Sequence, residues 1–378
     1  MNRGRKTDQM LVFVGTYTEP VVSGVQENVP GKGEGIYTYR FDKASGVLEF
    51  VSKTVEIANP SYLEFDPKSK FLYAANELQH CENQKSGTVS AFAVNQNNGK
   101  LTFLNKRFTH GTDPCYVRVD KQGKYVLVTN YTSGSVCVLP ILPDGSLGEA
   151  SDYIQHVGSG FDPSRQDGPH THSVTFDKSN SFAFVADLGL DRVMVYRFDR
   201  NRGILESNEA SGVKMKPGSG PRHMAFHPNG RYSYLINELN GTVAVLAYSA
   251  QRGRFKLVQI VPTLPSDFHG ENWCADIHVA PSGKFVYGSN RGHDSIVIYK
   301  ADPRTGRLAY VDHEPTRGKT PRGFTIDPSG EFLLVANQDS DSVISFRIDS
   351  RTGKLQFVGS VTGVPNPVCI KLLSAKGA

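Results

Sequence analysis

The amino-acid sequence predicts an all-β protein: a seven-bladed β-propeller of four-stranded antiparallel blades, with the ring closed by N- and C-terminal strands in one blade. Three observations carry this prediction. A strand–turn–strand pattern recurs six times along the 378 residues, a seventh copy is split between the two ends, and the composition suits strands and tight turns. Gly (37), Phe (21) and Tyr (16) are plentiful, and long Ala/Leu/Glu/Lys stretches are absent.

The elements of each copy follow in order. A short apolar strand leads to a turn that reads Asp66-Pro67-Lys68-Ser69, Asp120-Lys121-Gln122-Gly123, Asp177-Lys178-Ser179-Asn180, His227-Pro228-Asn229-Gly230, Ala280-Pro281-Ser282-Gly283 and Asp327-Pro328-Ser329-Gly330. The first residues of these turns lie 47 to 57 positions apart. Asx, Pro and Gly supply the turn geometry at low steric cost. Second strands end at Asn76, Asn130, Asp187, Asn237, Asn290 and Asn337, where the Asx side chains are expected to satisfy backbone groups. Third strands such as Thr88–Phe92 and Ser342–Phe346 run into Gly turns at Gly99, Gly145, Gly203, Gly253, Gly306 and Gly353.

In the split copy, Leu11–Thr16 reads as a second strand, Gly35–Phe41 as a third and Gly46 as its turn. The missing first strand is Pro367–Leu372. Residues 1–10 read as a flexible tail and 11–374 as a single propeller domain. Four strands per unit disfavour a sandwich, and the split copy disfavours an open solenoid.

The topology sorts the connections. The long ones, Glu19–Glu34, Glu77–Ser86, Val157–Gly168 and Val261–Asn272, all join strand two to three or strand four to the next blade. They therefore emerge on one face, where a rigid scaffold can hold functional loops. On that face two positions per blade point at the axis. One opens strand one: Ser61, Cys115, His172, Arg222, Ala275 and Arg322. The other follows the Asx that ends strand two: Glu77, Tyr131, Leu188, Glu238, Arg291 and Gln338, with Tyr17 from the first blade. Three arginines, two glutamates, a histidine and two tyrosines around one funnel call for partners or a ligand.

Within that funnel Arg222 offers a planar fork to carboxylate or phosphate, with pairing to Glu238 as the structural alternative. Glu238, kept ionised by Arg222, is the candidate to activate water. His172 is the candidate acid, base or donor, with His170 as its support. Arg291, Arg322, Glu77 and Tyr17 complete the set; a solvated rim charge is the alternative reading of Glu77. The His170-Thr171-His172 spacing puts two imidazoles on one strand face, but no third ligand is evident and no metal is expected.

The net charge is +5 without any basic run, which suits a small anionic ligand rather than nucleic acid. Five scattered cysteines form no CxxC pair, so a reducing, cytoplasmic setting is expected. The sequence shows no signal peptide or membrane span, and a homo-oligomer is compatible with it.

Read in order, Val14-Gly15-Thr16-Tyr17-Thr18, Gly168-Pro169-His170-Thr171-His172, Gly220-Pro221-Arg222-His223, Asn237-Glu238-Leu239, Ser289-Asn290-Arg291-Gly292-His293-Asp294 and Thr320-Pro321-Arg322 resemble the propeller lactonase family. That family includes bacterial 6-phosphogluconolactonases and fungal 3-carboxy-cis,cis-muconate lactonizing enzymes, and the resemblance runs from Leu11 to Leu373. It implies lactone chemistry without a cofactor, and its proposed His, two Arg and Glu fall on His172, Arg222, Arg291 and Glu238.

The leading expectation is hydrolysis of an anionic sugar lactone, 6-phosphogluconolactone first. Arg291 and Arg322 would hold the phosphate, Arg222 and His172 the oxyanion. A muconate-type lactonizing isomerase and a non-catalytic protein-binding propeller are the alternatives.

Overall fold

Asp66 shows why the chain reverses where it does. Its Oδ1 accepts the backbone N–H groups of Lys70 and Phe71 at 2.6 and 2.7 Å, and Asp120 and Asp327 repeat the arrangement in their own blades. In these blades the carboxylate thus satisfies the amides that open the second strand. The fourth turn residue is left-handed: Gly in four blades, but Ser69 and Asn180 at φ 52° and 61° in two others.

The computed structural model describes residues 9–21, 29–208 and 212–374. It contains seven antiparallel sheets, each sheet one blade. In the first, Pro367–Ser374 pairs with Gln9–Thr16, followed by Ile36–Asp42 and Val47–Thr54. The inner strands of blades two to seven are Pro60–Phe65, Pro114–Val119, Thr171–Phe176, Pro221–Phe226, Trp273–Val279 and Pro321–Ile326. Each inner strand packs against those of its two neighbours, round a closed circle. The ring is closed as the split repeat predicts.

The blades are held to one another by seven apolar layers, one at every blade interface. Successive strand residues point to opposite sheet faces. Tyr234 and Ile236 pack on Cys274, Ile277 and Val286 of blade six, whereas Leu235 between them packs on Phe184 and Val195 of blade four. Both faces are covered, so the second strands are apolar throughout instead of alternating. Burial of each such side chain contributes roughly 1.5–3 kcal/mol.

Several details differ from the sequence reading. The first strand begins at Gln9 and the last runs to Ser374, because Met10 pairs with both Phe41 and Ser374 and is buried in the layer between blades seven and one. Blade four carries a short extra strand, Val213–Lys214, on the edge of Arg192–Asp199. One connection on the opposite face is long, residues 141–151, pinned by an Ile141–Leu147 bridge. Most of the expected tail, residues 1–8, and residues 22–28 of the Glu19–Glu34 connection lie outside the described residues. Among the described residues no helix is long and apolar enough to cross a membrane.

Candidate active site

Each inner strand of blades two to seven is bulged at its mouth end, for example between Pro221 and His223 and between Pro60 and Tyr62. A bulge turns two neighbouring side chains toward the axis where a regular strand would offer one. The mouth residue and the one after it therefore line a single cavity, which runs from Glu77, His172, Arg222 and Arg322 down to His278 and Lys371.

Glu238 is the hub of one side of the mouth. Its Oε2 accepts Arg222 Nε at 2.8 Å and Arg291 Nη2 at 2.7 Å, and its Oε1 accepts Arg165 Nη2 at 2.5 Å. Glu238 and Arg222 are each 2 % exposed. Burial alone would raise the Glu238 carboxyl, but Arg291, Arg165 and Arg222 outweigh it and hold the group well below the usual carboxylate range. Arg291 is pushed down to about 9 by burial and by the other guanidiniums, against the pull of Glu238. It shares one carboxylate with two competing cations, and at neutral pH both members of the pair are ionised. A carboxylate gripped by three cations is a weak proton acceptor. The water-activating role expected of Glu238 therefore does not suit its surroundings, and it does not line the cavity.

Arg222 is committed on three sides. Besides Glu238 it donates from Nη1 to the Ala275 carbonyl at 2.6 Å and to His223 Nε2 at 3.2 Å. His223 must then carry its proton on Nδ1, which lies 2.8 Å from Asp276 Oδ1; the other carboxylate oxygen meets His278 Nε2 at 3.1 Å. His172 packs edge-on against His223, with Nδ1 3.8 Å from the Cys115 thiol. Burial, then Arg222 and His223, hold its imidazole well below the usual range, so it is neutral at physiological pH.

The opposite side is built around Glu77. Tyr17 Oη lies 3.1 Å from both carboxylate oxygens, and the Arg322 guanidinium is 3.9 Å away, over the Tyr17 ring. Burial raises the Glu77 carboxyl and outweighs Arg322. Val21 and Val29 of the Glu19–Glu34 connection pack on Tyr17 and Val368, so that insertion buttresses this corner.

The structure thus gathers His172, Arg222, Glu238, Arg291, Arg322, Glu77 and Tyr17 at one mouth. His170 stands apart: its ring stacks on Tyr131 at 4.7 Å and its Nε2 reaches Asp167, at the rim. Sequence reasoning missed Arg165. It lies in the Val157–Gly168 connection, where the buried Gln166 ties the loop to Leu188 O, Phe161 N and Asp162 N. Membership of a long connection on the functional face was its one signal. His223, Asp276 and His278 were missed because the bulges are invisible in a strand pattern. Asn76, Asn290 and Asn337 each donate to a carbonyl of the preceding loop as expected, whereas Asn237 donates to the Thr242 hydroxyl instead. Among the described residues no group of three or more His, Cys, Asp or Glu is arranged to hold a metal ion.

Comparison with known proteins bears on the family of the chain. The family model described as "Lactonase, 7-bladed beta-propeller" matches residues 11–372. A 6-phosphogluconolactonase of Bacillus subtilis is 36% identical over 361 residues, covering 96% of this chain and 97% of the relative. One from Formosa agariphila is 38% identical over 320 residues, covering 84% and 86%. Among solved structures, the periplasmic gluconolactonase of Pseudomonas aeruginosa superposes with a TM-score of 0.89 at 33% identity, covering 97% of this chain and 100% of that one.

Proposed function

The chain belongs to the seven-bladed β-propeller lactonase family, and from that premise we propose that it is a cofactor-independent hydrolase of sugar lactones, with 6-phosphogluconolactone as its substrate. The observation that carries the choice of a phosphorylated substrate is the charge of the mouth. Four guanidinium groups, on Arg165, Arg222, Arg291 and Arg322, face two carboxylates, on Glu238 and Glu77. With both carboxylates ionised, two positive charges remain in excess. Asp113 near Glu77 and the Asp276 carboxylate beneath Arg222 offset part of this excess, and Lys371 at the far end of the cavity adds to it. Buried uncompensated charge is costly, and a phosphate monoester dianion matches it.

Arg322 is the guanidinium with fewest commitments, its nearest carboxylate oxygen being 3.9 Å away. It is the donor open to the phosphate. Arg222, with Nη2 uncommitted, and neutral His172 supply donors to the carbonyl oxygen as water adds to it; one such preorganised donor is worth roughly 10²–10³ in rate. Glu238, itself gripped by Arg291, holds Arg222 and Arg165 in place. Five unpaired cysteines, four of them buried, suit a reducing cytoplasm.

The test is the rate of acid release from 6-phosphogluconolactone and from unphosphorylated gluconolactone, measured against spontaneous opening. Acceleration of both is expected, with the lower KM for the phosphorylated lactone, and Arg322→Ala should remove that preference. No acceleration of either refutes the hydrolase. Equal KM values in the wild type refute the phosphate assignment.

A further inference from the structure

We propose that Glu77, not Glu238, is the carboxylate that takes the proton from the attacking water. The inference rests on the lactonase reading and deepens it. Two carboxylates face the mouth from opposite sides, and their surroundings divide the roles. Both oxygens of Glu238 are occupied by guanidinium nitrogens at 2.5–2.8 Å, and the side chain does not border the cavity. Glu77 borders the cavity together with His172, Arg222 and Arg322. Its near neighbours are uncharged hydroxyls, that of Tyr17 at 3.1 Å and that of Ser61, and its guanidinium neighbour stands back at 3.9 Å. Lone pairs on Glu77 are thus left for a water molecule, and those on Glu238 are spent on cations.

Burial supports the division, since it raises the Glu77 carboxyl while the cations depress Glu238. A pair of carboxyl groups driven apart in this way is the usual mark of divided acid–base duties. The charged and titratable groups facing Glu77 are Tyr17, Asp113, Cys115 and Arg322, with Arg222 and His172 across the cavity.

The step balances. The water oxygen bonds to the lactone carbonyl carbon as Glu77 accepts the water proton, and the carbonyl electron pair moves to the oxygen held by Arg222. Collapse of that adduct breaks the bond between carbonyl carbon and ring oxygen. The departing oxygen takes the proton back from Glu77 and becomes a hydroxyl group. The new carboxylic acid then ionises to solvent.

Glu77→Gln keeps the acceptor for Tyr17 and removes the base. A fall in kcat of about 10²–10³-fold is expected, with the dissociation constant for 6-phosphogluconate little changed by calorimetry. Glu77→Ala opens space at the same place, and added formate should restore part of its rate. In the wild type, kcat/KM should fall as pH drops through an apparent pKa above 4.5, the ordinary value for this group. Wild-type kcat in Glu77→Gln overturns the proposal. So does a folded Glu77→Ala that formate leaves inert, or a wild-type profile without that acid limb. A wild type inert toward every sugar lactone refutes the functional reading itself, whereas an active wild type with an undiminished Glu77→Gln refutes this assignment alone.

Discussion

Replacing Glu238 by Gln tests the electrostatic logic of the mouth without reference to turnover. The change is nearly isosteric, but it removes the one negative charge to which Arg165, Arg222 and Arg291 are paired at 2.5–2.8 Å. Glu238, Arg222 and Arg291 are each at most 3 % exposed, so water cannot replace the lost partner. Breaking a buried pair from one side costs roughly 3–5 kcal/mol. At about 2.1 cal/mol/K of unfolding entropy per residue, a chain of this length loses roughly 4–6 °C in Tm. Differential scanning calorimetry at pH 7 reads this directly. The sign with pH follows from the depressed Glu238 carboxyl. Its stabilisation is complete above the unfolded pKa, near 4.5, and is lost as pH falls through the lower folded value. The gap in Tm between wild type and variant should therefore narrow under acid. A variant that melts within about 1 °C of wild type at pH 7, a small fraction of the loss worked out above, would refute the claim that this carboxylate holds the cluster together.

Two further outcomes are expected. Asp276→Asn can place an amide N–H against His223 Nδ1, which moves the imidazole proton to Nε2 and opposes it to Arg222 Nη1; kcat should fall by about tenfold or more with little change in KM, and imidazole ¹⁵N shifts should report the switched tautomer, whereas unchanged shifts would remove Asp276 from this role. Gly15→Ala should destabilise by about 1–3 kcal/mol, because a β-carbon there would stand 2.2 Å from the Pro60 carbonyl oxygen where blades one and two meet; urea denaturation measures it, and an unchanged midpoint would contradict the close approach.

The architecture was legible because it repeats. Asp66, Asp120 and Asp327 stand at the same place in three turns and make the same bonds, so one physical solution is written several times in the chain. The site is the part that does not repeat. Topology alone brought His172, Arg222, Glu238 and Arg291 to one face, since strand polarity fixes which ends meet. It did not reveal that Glu238 serves three cations, because the third, Arg165, comes from a connection with no counterpart in other blades. Nor did it reveal the layer of His223 and Asp276 beneath the mouth. A one-residue bulge shifts the inward set by one position, and nothing in an apolar strand marks it.

The strand pair that shuts the ring also sets a timetable for biosynthesis. Gln9–Thr16 and Pro367–Ser374 lie side by side in one blade yet stand at opposite ends of the ring sequence. At ribosomal speeds of about 5–20 residues per second, the earlier strand waits roughly 20–70 s for its partner. During that interval Leu11, Phe13 and Leu63 lack the cover of Cys369 and Leu373, and a bare strand edge faces solvent. The nascent chain is therefore most exposed to mispairing late in synthesis, when six blades are already in place and the last latch has yet to emerge.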